Sequence, residues 1–176
     1  WLCGDPGVQF EDTIQRWHTC RADGPINSSN PCSEFMFLDD TACNLASLNL
    51  LKFRAPDGSF DVEPFQAAVE LFITAQEILV DHAGYPTERI AERSHRYRPL
   101  GLGYANLGAL VMAAGRPYDS DGGRALAAGV TALMHLHATT QSARLAEVLG
   151  PFPAYERNRE SMREVVARHV EAAEAL

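Results

Sequence analysis

Cysteine is scarce in this chain of 176 residues, which has only four thiols, at Cys3, Cys20, Cys32 and Cys43. No two of them form a C-x-x-C pair, which argues against a structural zinc site and against a dithiol redox motif. A chain of this length with so few cysteines is also unlike a secreted disulfide scaffold. We therefore expect a cytoplasmic protein with functional thiols.

The chain also lacks a net positive charge and long apolar runs. The formal net charge is −8 at pH 7, and a chain without a basic run is a poor candidate for binding nucleic-acid phosphates. No stretch approaches the roughly 18 uninterrupted apolar residues of a membrane-spanning helix. We expect neither a nucleic acid nor a membrane as a partner. The length suits one domain with a sizeable core.

Both ends of the sequence look interrupted. Residue 1 is Trp rather than Met, and the last residues lie within an Ala- and Glu-rich helical pattern. We interpret residues 1–176 as a single internal fragment of a longer protein, with a processed N-terminus as the alternative. Residues 1–55 carry all four cysteines and many turn formers, including those at 4–7, whereas residues 59–176 have a mainly helical pattern.

Hydrophobic spacing predicts helices from 61 to a stop at Gly84, at 87–96, 100–114 and 120–149, and from 159 onward, the last capped by Asn158 or a nearby polar residue. Residues 9–19 are expected to form a short helix or an irregular segment. Asp61 is the expected cap of the helix from 61, and Pro64 lies in its first turn. The apolar stripe of that helix contains Phe65, Val69, Phe72, Ile73, Gln76, Leu79 and Val80. Alternation predicts one strand at 46–53, followed by a turn at 56–58.

The apolar segment 100–114 contains Gly101, Gly103 and Gly108. The third glycine comes two residues too late for G-x-G-x-x-G, and no long β run precedes the segment, so a phosphate-binding loop is disfavoured. We interpret the segment as a tightly packed helix whose small residues let another backbone approach closely.

Other polar residues have ordinary structural interpretations. His135 and His137 are two positions apart, so they face different sides of a helix, whereas helical metal ligands need a spacing of three or four. We expect no metal site. Arg93, Arg96 and Arg98 are expected to be solvated or to pair with nearby acids.

An amide, a thiol and a carboxylate alternate in Asn30-Pro31-Cys32-Ser33-Glu34. Pro31 disfavours helical geometry at Asn30, which favours an extended segment. Side chains two apart on an extended segment share a face, so we expect Asn30, Cys32 and Glu34 in one row. Such a row suggests redox or radical chemistry on a polar substrate. Taken singly, the three residues are more often a turn asparagine, a packed cysteine and a solvated carboxylate.

Cys43 follows Cys32 by eleven positions. Closing a loop of that length costs little free energy, so the two thiols can come close to each other. A structural cysteine at the start of the predicted strand is the alternative.

The segment 26–50, INSSNPCSEFMFLDDTACNLASLNL, resembles the active-site loop of ribonucleotide reductases. It is most similar to the adenosylcobalamin-dependent class II catalytic chain, because of the long FMFLDDTACNLASLNL run. The segments GDPG at 4–7, WHTC at 17–20, RPLGLGYANLG at 98–108 and YDS at 118–120 resemble the same family in the same order.

This resemblance implies an α/β fold that is part of a ten-stranded α/β barrel, in which Cys32 lies at the tip of a finger loop. Cys32 would become a thiyl radical and remove the 3′ hydrogen of a ribonucleotide, the radical coming from adenosylcobalamin through its 5′-deoxyadenosyl group. Glu34 would act as general base on the 3′ hydroxyl. Cys43 would be one of two thiols that reduce the ribose and end as a disulfide.

The resemblance also implies binding partners. Asn30, Ser29 and Ser33 would bind the ribonucleotide, a di- or triphosphate. A thioredoxin-type or dithiol reductant and nucleotide effectors would serve the full-length enzyme, which is expected to be a homo-oligomer. The alternatives are a class I reductase large chain, which takes its radical from a separate metal subunit, and a non-catalytic helical interaction fragment.

We predict that residues 1–176 alone do not reduce ribonucleotides. In the family the second reducing cysteine lies upstream of this segment, and neither Cys3 nor Cys20 occupies its place; the loop that holds the substrate phosphates lies downstream. An assay of deoxyribonucleotide formation by the isolated 176 residues checks this prediction, and product above the cofactor-free background contradicts it.

Overall fold

The structure, a computed structural model, describes residues 2–4 and 7–176. The helices are α1 Glu11–Arg16, α2 Val62–His82, α3 Glu88–Tyr97, α4 Leu107–Ala113, α5 Asp121–Leu149 and α6 Tyr155–Glu174; the strands are β1 Asn44–Asn49 and β2 Leu100–Ala105. The turn formers expected at 4–7 include Asp5 and Pro6, which lie outside the described residues. None of the helices in the described part is both long and apolar enough to cross a membrane.

The strands β1 and β2 form a parallel pair, with Leu45 opposite Gly101 and Asn49 opposite Ala105. Parallel strands need a long crossover connection, and α2 and α3 supply it. The expected α/β class is therefore confirmed by a β-α-α-β unit, which α5 covers by packing on α2.

The strand β1 begins two residues earlier than predicted and is shorter. Its alternation holds, since Leu48 is buried while Leu45, Ser47 and Asn49 are exposed on the opposite face. After Asn49, residues Leu50–Phe53 turn into a short 3-10 helix, because the Asn49 side chain accepts a hydrogen bond from the Leu51 N–H. The predicted turn at 56–58 is confirmed by a hydrogen bond from Gly58 N to Ala55 O.

The main core lies between α2, β1 and α5. Five side chains of α2 are buried: Phe65, Val69, Ile73, Gln76 and Val80. They pack towards buried residues of the other elements, among them Leu48, Leu50, Leu110, Val130 and Met134. Placing Phe72 and Leu79 on the buried stripe was wrong, since they are 38% and 50% exposed.

The predicted helix starts are confirmed in three cases, but the cap chemistry differs. Ser120 accepts from Gly123 N at the start of α5, and Thr87 accepts from Ile90 N at the start of α3. Asp61 occupies the N-cap position of α2, yet its side chain makes no cap hydrogen bond.

The helix predicted at 100–114 is wrong in its first half. Residues Leu100–Ala105 form β2, and the helix α4 covers only Leu107–Ala113. Between them Asn106 has a left-handed φ of 68°, which ends the strand. The expected close approach of another backbone is confirmed, because a Cβ at Gly101 would lie 3.1 Å from the Asn44 carbonyl oxygen.

The last helix, α6, begins four residues before its predicted start and packs on the N-terminal segment. Asn158, the expected cap, is instead a buried residue inside the helix. Its Oδ1 accepts from Ala22 N at 3.0 Å, and its Nδ2 donates to the Asp23 carboxylate at 2.6 Å. The Ser161 hydroxyl donates to the Thr19 carbonyl at 2.6 Å. These bonds hold the segment that precedes the Cys32 region.

Candidate active site

Cys32 lies on a tight turn, so the extended row predicted for Asn30, Cys32 and Glu34 is wrong. Ser33 N donates to Asn30 O at 3.1 Å, and Ser33 has a left-handed φ of 63°. Pro31 is equally suited to the second position of a turn, and the left-handed Ser33 then reverses the chain. An antiparallel bridge between Ser29 and Met36 closes the loop. We call residues 29–36 the Cys32 loop.

The three predicted site residues differ in their exposure to solvent on this loop. Cys32 and Glu34 are exposed, and Asn30 is half-buried. The Asn30 Oδ1 accepts a hydrogen bond from Phe35 N at 3.0 Å, so the side chain helps to close the turn. Its Nδ2 group takes no part in that bond and can donate to a hydroxyl.

A small hydroxyl cluster braces the base of the Cys32 loop. Gln9 Nε2 donates to Ser33 Oγ at 2.8 Å and to Ser29 Oγ at 3.4 Å. The two serine hydroxyls are 3.3 Å apart, and Ser29 Oγ also donates to Asn30 O at 2.8 Å. The two serines predicted to bind substrate are thus together on one side of the loop. Gln9 was missed, because no local pattern marks a contact across 24 residues.

A groove of about 270 Å³ adjoins this cluster. It is lined by Gln9, Glu11, Ile14, Ile26, Asn27, Ser28 and Ser29. Its volume is close to the lower end of the range typical of small-molecule sites, about 300–1,000 Å³. Amide, hydroxyl and carboxylate groups line it beside two isoleucines, so it suits a ligand that is polar on one side.

Aromatic packing anchors the chain that leads from the Cys32 loop towards Cys43. Phe37 meets His18 and Tyr97 edge-on, with ring centroids 5.9 and 5.7 Å apart. His18 is buried; its Nδ1 accepts from Cys20 N and its Nε2 therefore donates to the Gly24 carbonyl at 3.0 Å. Burial lowers the pKa of His18, which favours the neutral ring that these two hydrogen bonds require.

Polar contacts hold the rest of this connection. Asn27 Nδ2 donates to Asp39 at 2.8 Å, and Arg89 pairs with Asp40 at 2.7 Å. The connection is therefore fixed along its length, which sets where Cys43 lies relative to the loop.

Cys43 is half-buried directly before β1. Burial is the main cause that raises the pKa of its thiol, and the nearby Glu34 carboxylate raises that pKa further. The thiol of Cys43 is therefore protonated at neutral pH, and Glu34 lies within electrostatic range of it. After Ser29 and Ser33, these two residues are a second pair of predicted site residues that influence each other.

The other thiol in this region, Cys20, has a structural environment. It is 1% exposed and belongs to a second core cluster with Leu38, Tyr97 and Ala154. Burial raises the pKa of Cys20 to about 11, which keeps the thiol protonated and unreactive.

Within residues 2–4 and 7–176, no group of three or more His, Cys, Asp or Glu side chains is placed to hold a metal ion. His135 stacks on His169, with ring centroids 3.9 Å apart, whereas His137 faces Glu70 at 3.7 Å. The two histidines thus face different neighbours, as predicted.

The predicted pairing of the arginines with nearby acids is confirmed for Arg98 and Arg96. Arg98 binds Glu77 at 2.5 Å and Asp81 at 2.7 Å. Arg96 lies 3.6 Å from the Asp23 carboxylate.

Comparison with known proteins gives a family match over residues 1–174, to the model described as ribonucleotide reductase, barrel domain. The chain is 58% identical over 176 residues to a vitamin B12-dependent ribonucleotide reductase of Rhodopirellula baltica, covering 100% of this chain and 17% of that protein. It is 54% identical over 176 residues to a protein of the same name in Streptomyces clavuligerus, covering 98% of this chain and 18% of that protein.

A more distant relative has a more specific name. It is a vitamin B12-dependent ribonucleoside-diphosphate reductase of Mycobacterium tuberculosis, 36% identical over 156 residues. The match covers 89% of this chain and 22% of that protein. The chain thus spans less than a quarter of the length of each of these three relatives.

Because the Glu34 charge raises the pKa of Cys43, we predict that removing this charge makes the Cys43 thiol more reactive. Replacing Glu34→Gln removes a negative charge, so the pKa of Cys43 falls and more thiolate is present at pH 8, the form that reacts with iodoacetamide. We expect faster alkylation of Cys43 in the intact protein, measured by peptide mass spectrometry. Glu63→Gln, at an exposed position in the first turn of α2, is the control. Equal Cys43 rates in the Glu34 variant and the wild type would contradict this effect of Glu34.

Proposed function

The chain belongs to the barrel-domain family of ribonucleotide reductases, and from this premise we propose that it forms part of a ribonucleoside di- or triphosphate reductase that uses adenosylcobalamin. The expected partial α/β barrel agrees with this membership and with the parallel β1–β2 pair. The observation that carries the proposed chemistry is the placement of Cys32, Glu34 and Cys43: an exposed thiol on a turn, a carboxylate two residues later, and a protonated thiol within range of that carboxylate.

Cys32 is proposed as the residue that takes the substrate hydrogen. Adenosylcobalamin, when bound, supplies the radical through its 5′-deoxyadenosyl group. The residue of this chain that fits such a carrier is Cys32, because its thiol is exposed on the tip of a turn. Loss of the hydrogen atom from its S–H leaves a thiyl radical, which removes the 3′ hydrogen of the ribose.

Glu34 is proposed as the general base that accepts the proton of the 3′ hydroxyl. A general base must come within hydrogen-bond reach of the proton it takes. Glu34 is exposed and follows Cys32 on the same loop, so a ribose placed against the thiol is also within its reach. The negative charge of Glu34 has a second effect, since it keeps Cys43 in the thiol form.

Asn30, Ser29 and Ser33 are proposed to bind the ribonucleotide. The Asn30 Nδ2 group can donate to a ribose hydroxyl, and the serine hydroxyls that Gln9 braces lie next to it along the loop. The groove beside Gln9 and Ser29 adds polar surface at the same place.

Cys43 is proposed to supply one of the two reducing thiols. Replacing the 2′ hydroxyl by hydrogen consumes two electrons, and the oxygen leaves as water. Two thiols supply those electrons and end as a disulfide, so the proposal requires a second thiol from elsewhere in the full-length protein. A dithiol or thioredoxin-type reductant then restores both thiols by exchange.

The remaining partners follow from the family alone. We propose that nucleotide effectors act on the full-length enzyme, that it is a homo-oligomer, and that it works in the cytoplasm, where thiols stay reduced. The match of this chain to proteins named vitamin B12-dependent supports the cobalamin enzyme over a class I large chain.

The proposal is tested by two substitutions in the full-length enzyme. Cys32→Ser removes the S–H and is expected to reduce deoxyribonucleotide formation to background. Glu34→Gln keeps the shape but removes the base, and we expect a loss of kcat of about 10²–10⁴-fold. Product is measured by chromatography with and without adenosylcobalamin.

The matched control is Cys3→Ser, which changes an exposed thiol in the same part of the chain and is expected to keep wild-type activity. Unchanged activity of Cys32→Ser would exclude the radical role. Activity that needs only a diiron partner and no cobalamin would identify a class I enzyme instead.

A further inference from the structure

Buried polar side chains from two helices hold the main chain on both sides of Cys43. On one side, Ala42 N donates to the Ser94 hydroxyl of α3 at 3.1 Å. On the other, the Asn44 carbonyl accepts from Gln76 Nε2 of α2 at 3.0 Å. Ser94 is 0% exposed and Gln76 is 2% exposed. The residue between these two anchors is the thiol assigned above to ribose reduction.

Gln76 also joins the two strands at the end where Cys43 lies. Its Nε2 makes a second bond, to the Gly101 carbonyl of β2 at 3.0 Å. The Asn44 side chain returns a bond to the Gln76 main-chain carbonyl, also at 3.0 Å. One carboxamide thus ties α2 to β1 and β2 together, one residue after Cys43.

An apolar side chain at position 76 would be expected if the position served only to stabilise the fold. The neighbouring buried positions of α2, Ile73 and Val80, are apolar, and a buried polar group costs free energy unless it is hydrogen-bonded. Among the described residues, Gln76 Oε1 and Asn44 Oδ1 are buried without a hydrogen-bond partner, and each such atom adds to the free-energy cost of burial. The amide offsets this cost with the two hydrogen bonds that it donates to the carbonyls of Asn44 and Gly101.

Gly101 of β2 lies directly beside the Cys43 sulfur. A Cβ at this position would lie 3.3 Å from Cys43 Sγ and 3.1 Å from the Asn44 carbonyl oxygen. Contacts at these distances would require the neighbouring atoms to shift by a few tenths of an ångström, so the glycine lets the Cys43 sulfur lie close to the main chain of β2.

We propose that Gln76 and Ser94 are positioning residues that fix where the Cys43 thiol meets the ribose and its partner thiol. This inference rests on the proposed function. Disulfide formation requires the two Cβ atoms to lie about 3.5–4.5 Å apart, and a misplacement of about 1 Å can cost 10²-fold in rate. Radical formation at Cys32 takes place on a separate loop and does not depend on these two anchors.

The test is Gln76→Met in the full-length holoenzyme, because methionine has a similar length but cannot donate the two bonds. We expect kcat to fall at least tenfold, while KM changes less than twofold because the Cys32 loop is untouched. The fraction of Cys43 recovered as a disulfide within a fixed short time, in a single-turnover reaction without added reductant, falls with kcat. The cobalamin absorbance change that reports radical formation stays at the wild-type level.

The matched control is Gln141→Met, which removes a bond from Gln141 Nε2 of α5 to the Thr74 hydroxyl of α2 at 3.0 Å, away from Cys43. It is expected to keep wild-type kcat and disulfide yield. Ser94→Ala is the second variant, with the same expectations as Gln76→Met, and it decides the matter if Gln76→Met does not fold.

Two results would overturn the positioning role. One is a wild-type disulfide yield in the folded variants, and the other is that radical formation is lost as well as ribonucleotide reduction.

A second measurement, alkylation by iodoacetamide, separates this role from the proposed function. We expect Gln76→Met to raise the Cys43 rate at least threefold and to leave the Cys32 rate unchanged, and equal Cys43 rates would also overturn the role. A wild-type enzyme without cobalamin-dependent reduction overturns the proposed function, and the alkylation rates then decide the positioning of Cys43 by themselves.

Discussion

The parallel pairing of β1 with β2 is the constraint on which the rest of the structure depends. It places Leu45 opposite Gly101, buries Leu48 against the helices, and sets Cys43 at the end of the strand, beside a glycine. Gln76 fixes this end of the pair from α2. The Cys32 loop reaches the same strand through a connection with anchors of its own, so the sheet directly positions Cys43 alone of the two thiols.

The chemistry of the candidate site is divided between an exposed and a sheltered part. Cys32 and Glu34 lie on an exposed turn, where a substrate and a radical carrier can reach them. Cys43 is half-buried and held in the thiol form by burial and by Glu34. One carboxylate therefore affects both parts, as a proposed base towards the substrate and as a charge that adds to burial in raising the pKa of the proposed reducing thiol.

Local patterns were sufficient to predict α2, α3 and α5, because their caps and periodic apolar residues act within a few turns. They were not sufficient for β2, since its glycine-rich run becomes a strand only by pairing with β1. The candidate site residues were proposed from their order in the chain and remain a prediction. The turn at Cys32 was not predicted, because Pro31 suits a turn and an extended segment equally. Gln9, Gln76 and Ser94 contact the site across long sequence separations, which no local signal marks.

We propose that this chain carries the thiol that removes the 3′ hydrogen of a ribonucleotide. The decisive experiment is a competition between a 3′-deuterated and an unlabelled ribonucleotide in the full-length, cobalamin-loaded enzyme. We expect the unlabelled substrate to be consumed first, so that deuterium is enriched in the remaining substrate. Equal consumption of the two substrates, with normal formation of deoxyribonucleotide, would contradict it.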